Sequence, residues 1–89
     1  ELYPDFPYIY YNLANLYCLS SDLTSAITNY NKALELYSNI PEAYYNRGLV
    51  LIYLKDKEKG CIDLSKAGEL GVSDAYSVIK KYCKNDELD

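Results

Sequence analysis

The sequence contains no histidine, no methionine and no tryptophan, and only one phenylalanine. Without histidine it has no imidazole base near neutral pH and no nitrogen ligand for zinc. Its three cysteines, Cys18, Cys61 and Cys83, form no CxxC pair, so no metal and no cofactor is expected. A glycine-rich phosphate loop is missing as well. The longest apolar run, Leu49 to Leu54, is six residues, far below the roughly 20 a membrane-spanning helix needs. Basic residues number nine against thirteen acidic ones, a net charge of −4. That balance offers no clustered positive face for nucleic acid and repels anionic lipid headgroups. No constellation of acid, base and nucleophile stands out, and the chain does not read as an enzyme.

What is present is a folded composition, 49% hydrophobic and 25% charged, in 89 residues that suffice for one small domain. Twelve of those residues are tyrosine. The chain also overlays on itself when shifted by thirty-four residues. Pro7, Tyr10, Tyr11 and Asn12 fall on Pro41, Tyr44, Tyr45 and Asn46, and Asp22 falls on Asp56. Lys32, Ala33, Glu35 and Leu36 fall on Lys66, Ala67, Glu69 and Leu70. Background residue usage would give roughly two such identities over one repeat length. A fixed period of this size marks a stacked array, whose units bury their apolar faces against one another.

Prolines, glycines and Asp/Ser/Asn clusters cut the chain into helical lengths. The patterns predict helices near 8–20, 23–37, 42–54, 57–70 and 74–84 and no strand, since no alternating run exists. Pro7 and Pro41 suit first-turn positions, Asp22 and Asp56 read as N-caps, and Ser73-Asp74 as a third cap. Gly71 is placed to stop the fourth helix. Asp63 and Glu69 read as solvated helix-face charges. The cysteines read as half-buried apolar residues with free thiols, which fits a reducing, cytoplasmic setting.

These features resemble the tetratricopeptide repeat family, whose pattern is an aromatic, Leu-Gly, Tyr, Ala, an aromatic and Pro at fixed offsets. Tyr10, Leu13-Ala14, Tyr17, Ala26, Tyr30 and Ala33 match the first unit. Tyr44, Gly48, Leu51, Gly60, Leu64 and Ala67 match the second. The resemblance implies an all-α helix-turn-helix solenoid of two repeats plus a C-terminal capping helix. Its divisions are 1–6, a remnant of a preceding repeat with Pro4 in the terminal proline slot; 7–40; 41–74; a capping helix at 75–84; and a frayed tail at 85–89. The chain thus looks like the tail of a longer array. Small residues at Ala14/Gly48 and Ala26/Gly60 should let paired helices approach, with Tyr10/Tyr44 and Tyr30/Leu64 filling the space beside them. Ser38 and Val72 replace the usual proline, Arg47 stands where Leu13 stands, and Lys57 where Leu23 stands. Those departures suggest a second unit that packs less tightly or borrows contacts from its neighbours.

In that family the first helices of successive units line a concave groove that binds a peptide or partner segment. The resemblance places Tyr8, Tyr11, Asn12 and Asn15 there from the first unit, and Tyr45, Asn46, Leu49 and Tyr53 from the second. Tyr76 and Lys80 continue it on the capping helix. Tyr10, Tyr17, Tyr30, Tyr44 and Tyr82 are assigned to packing, while Tyr8, Tyr11, Tyr45, Tyr53 and Tyr76 have no packing slot. Some members clamp a terminal carboxylate. Asn15, Asn46 and Lys80 match three slots of that clamp, but Tyr11 and Tyr76 replace its lysines and remove much of the charge. The expected function is a protein-interaction scaffold. The alternatives are terminal units that mediate self-association through Ile9, Leu13 and Leu16, or the regulatory arm of an upstream enzyme.

Overall fold

The computed structural model describes residues 6–83. Five helices follow in order: α1 Phe6–Leu19, α2 Leu23–Leu36, α3 Pro41–Tyr53, α4 Lys57–Glu69 and α5 Asp74–Tyr82, with no strand among the described residues. Residues 1–5 of the expected remnant at 1–6, the tail at 85–89 and Lys84 of the expected capping helix lie outside them, while Phe6 begins α1.

The helix starts follow from the side chains that precede them. Asp22 accepts a hydrogen bond from the Ser25 backbone N–H at 3.2 Å, and Asp56 accepts one from Lys59 at 3.4 Å. Pro41 opens α3, where its missing N–H costs nothing. Ser73, in contrast, makes no capping hydrogen bond, because its backbone is already helical and α5 starts from the turn at Val72. The expected third cap is therefore corrected.

Three helices end in the same way. After α1, Asp22 N–H reaches back to Tyr17 C=O and Ser21 N–H to Cys18 C=O. After α3 the pair is Asp56 to Leu51 and Lys55 to Ile52, and after α4 it is Val72 to Ala67 and Gly71 to Gly68. This double closure needs a left-handed residue at its corner. Gly71 supplies it freely at φ 112°, whereas Ser21 and Lys55 adopt it at φ 66° and 74° despite carrying a Cβ.

Within each hairpin the helices run back along one another, and small residues set their separation. A Cβ on Gly48 would lie 2.9 Å from the Gly60 carbonyl oxygen, and one on Gly60 would lie 2.7 Å from Ile52 Cγ1. The equivalent Ala14 and Ala26 are fully buried. One core cluster gathers Ala14, Ala26, Tyr30, Ala33, Ile40 and Ala43; the other gathers Leu64, Ala67 and Ala75. Stacking leaves the body elongated at 52 × 26 × 17 Å, with a radius of gyration of 13.4 Å. A compact domain of this length would have about 12 Å.

Three further expectations are corrected. Asp63 is only 6% exposed, because Arg47 turns inward to meet it. Cys61 and Cys83 are joined in a disulfide with their Cα atoms 5.9 Å apart, leaving Cys18 as the free cysteine. Packing α5 onto α4 brings those two positions into bridging range, which spacing along the chain does not reveal. Tyr82, assigned to packing, is instead 45% exposed at the end of α5.

Candidate concave interaction site

The unit period puts the free faces of α1 and α3 side by side, and a hydrogen-bonded network crosses between them. Asn46 on α3 donates from Nδ2 to Asn15 Oδ1 at 3.2 Å and to Tyr11 Oη at 3.4 Å. Tyr30, buried on α2, donates its hydroxyl to the same Asn15 oxygen. Cys18 Sγ lies 3.6 Å from that hydroxyl. Burial, and then the neighbouring Cys18 thiol, push the Tyr30 phenol well above its ordinary range, so it stays a donor. Asn46 thus spends both amide hydrogens inside the protein, while no described residue donates to its carbonyl oxygen.

The other predicted residues spread around this network. Tyr8 meets Tyr11 edge to face with centroids 6.3 Å apart. Tyr11 and Tyr45 are half-buried, packing on the first and second core clusters respectively. The expectation that neither carries a packing role is corrected: Tyr11 sits against Tyr30 of α2, ring centroids 6.1 Å apart, and Tyr45 against the cluster of Leu64, Ala67 and Ala75. Asn12 is exposed, unlike its repeat counterpart Asn46. Leu49 and Tyr53 line a hollow with Cys18, Ser21, Leu23 and Val50, and Tyr53 is 74% exposed. On their other side, Leu49 and Tyr53 line a second hollow with Ile52, Lys55 and Tyr82. Tyr76 is exposed with its ring over Gly68, on the α4 side, and Lys80 points into solvent. The network Tyr11, Asn15 and Asn46 is therefore contiguous, whereas Tyr76 and Lys80 stand apart from it.

Sequence reasoning missed a second polar cluster. Arg47 contacts Asp63 on α4 and Asn31 on α2, so the second unit does borrow a contact from the first. The available signal was an arginine in the slot of an apolar residue, which calls for a counter-charge on the helix it faces. Chemically, the shared face of α1 and α3 offers tyrosine rings, amides and aliphatic side chains. No group of three or more His, Cys, Asp or Glu residues among those described is placed to hold a metal ion. No helix among the described residues is long and apolar enough to cross a membrane.

Residues 14–52 match a family model described as TPR repeat, and residues 41–70 match one described as Tetratricopeptide repeat. The chain is also similar to the Photosystem I assembly protein Ycf3 of Acaryochloris marina (strain MBIC 11017), with 32% identity over 63 residues. That alignment covers 71% of this chain and 38% of the relative, so the chain spans well under two thirds of the relative's length. With two matched units in register, small residues at both helix crossings and five helices stacked as hairpins, the chain belongs to the tetratricopeptide repeat family.

Proposed function

We propose that the chain is a non-catalytic protein-interaction module that holds an extended partner segment along the faces of α1 and α3. The observation that carries this reading is the Asn46 side chain, pinned by Tyr11 and Asn15 with its carbonyl oxygen left to accept from a ligand. An acceptor fixed in place loses little freedom on binding, and the tyrosines beside it supply large, stiff contact area. The exposed Tyr53 and the hollows on either side of it give side chains of the segment an apolar seat. By analogy with the relative named as an assembly protein, the role would be to hold partner proteins during assembly.

The reading is tested by selecting peptides from a display library on the folded chain. Binding of selected peptides should fall about tenfold or more in Asn46→Ala and in Tyr53→Ala, and stay unchanged in Glu35→Ala on α2. Equal binding by all three variants would reject the concave face. A second reading, self-association, is favoured by the apolar side chains of α1: Ile9 and Leu16 are 55% and 59% exposed, and Leu13 lies beside them. Their counterparts Ala43 and Val50 are buried in the second unit. Sedimentation should then show concentration-dependent dimers that Leu16→Glu abolishes.

A further inference from the structure

We infer that the Cys61–Cys83 disulfide is a reversible redox site that seats and releases the C-terminal half of α5, and with it one wall of the apolar hollow between α3 and α5. The helix has nine residues, too short to hold its shape without packing. Its N-terminal half is seated without help: Ala75 is buried against Leu64 and Ala67, and the preceding Val72 N–H bonds to Ala67 C=O at 2.9 Å. Its C-terminal half presents Lys80, Lys81 and Tyr82 to solvent, while Val78 and Ile79, only half-buried, pack against the same Leu64, Ala67 and Ala75 cluster. There the covalent tie is Cys83, the residue on which the helix ends.

Tyr82, one residue before that tie, is the member of α5 that lines the hollow of about 610 Å³ with Leu49, Ile52, Tyr53 and Lys55. A reductant can approach from outside, because Cys61 lines an open surface hollow with Ile62, Ser65, Lys66 and Glu69. The co-reactant is a dithiol, either a protein with paired cysteines or dithiothreitol. Its thiolate attacks Cys61 Sγ, the Cys61–Cys83 bond breaks, and the electron pair leaves on Cys83 Sγ, which takes a proton. The second thiol of the reductant then displaces Cys61. The protein gains two electrons and two protons, and the reductant becomes a disulfide. Oxidised glutathione drives the reverse exchange. The hollow belongs to the concave face proposed above, but the test reads α5 directly, so either idea can fail alone.

Hydrogen exchange measured by mass spectrometry on the whole chain, before and after dithiothreitol, tests the inference. Amides of residues 78–83 should exchange at least tenfold faster once reduced, those of α1 to α4 should not change, and oxidised glutathione should restore protection. Because the chain has no tryptophan, Tyr82→Trp adds a single fluorophore whose emission should shift to the red on reduction. The Cys61→Ala/Cys83→Ala variant should match the reduced protein in both readouts. Equal protection in both states overturns the inference. So does loss of protection across α3 and α4 together, which would make the bond a staple of the whole unit, or an air-oxidised chain whose mass shows all thiols free.

Discussion

Arg47 grips Asp63 through both carboxylate oxygens, Nε donating to Oδ2 at 2.6 Å and Nη2 to Oδ1 at 2.8 Å. Its Nη1 donates to Asn31 at 2.8 Å, so one guanidinium joins α2, α3 and α4. The repeat places Leu13 and Asn29 where the second unit has Arg47 and Asp63.

Arg47→Leu alone strands a buried carboxylate and should lower stability by about 3–5 kcal/mol. Arg47→Leu with Asp63→Asn restores the pairing of the first unit and should recover most of that loss. Urea denaturation of the two single variants and the double variant gives the coupling. Additive losses would mean that the ion pair contributes nothing beyond its separate parts.

Gly60→Ala places a methyl 2.7 Å from Ile52 Cγ1 and 2.8 Å from the Gly48 carbonyl oxygen. Backbone cannot yield as a side chain does, so overpacking of about 1–3 kcal/mol should outweigh a helix-propensity gain of about 1 kcal/mol. At Gly68 the atoms nearest to an added methyl all belong to the exposed Tyr76 side chain, which can swing aside. Thermal melts should therefore rank Gly68→Ala at or above the parent and Gly60→Ala below it.

Lys55→Gly and Ser21→Gly should each stabilise the chain by roughly 0.5–1 kcal/mol, by relieving a left-handed corner that costs an L-residue about 1–2 kcal/mol. Gly71→Ala, at the equivalent corner after α4, should lose a similar amount. Chemical denaturation of the three variants checks the opposite signs.

Tyr30 gives a sign for alkaline pH. Its folded-state pKa is raised from the ordinary value of 10.0, chiefly by burial. The folded chain keeps that proton when the unfolded chain has released it. The resulting stability is complete below about pH 10 and is lost as pH rises above it. Tyr30→Phe should flatten the stability profile above pH 10 by up to one proton, about 1.4 kcal/mol per pH unit. An unchanged slope would place the alkaline loss on other tyrosines.

Local chemistry made the helix starts readable. Asp22, Asp56 and Pro41 act at their own positions, and the thirty-four-residue shift carried Ala14 onto Gly48 at both crossings. What escaped depends on neighbours that lie far along the chain. Asp63 shares a slot with the polar Asn29, so it read as solvated, although Arg47 draws it inward. Ser21 and Lys55 conceal their left-handed corners because neither is glycine. Cys61 and Cys83 are 22 residues apart, and only the packing of α5 on α4 brings them together. In the candidate site, the family resemblance picked out Tyr11, Asn15 and Asn46. The hydrogen bonds joining them run between units, from Asn46 to Tyr11 and Asn15, whereas the packing that half-buries Tyr11 comes largely from Tyr30 and its neighbours in the first unit.

Ile40, which caps the start of α3, and Ala43, in its first turn, belong to the core cluster of the first unit. The junction they fill between α2 and α3 is slimmer than either hairpin. In mechanical terms it is expected to be the more compliant joint between two stiffer segments. A bending moment along the 52 Å axis should then flex the rod at that joint before it distorts a helix pair. The angle between the hairpins should follow how far one isoleucine and one alanine let them tilt.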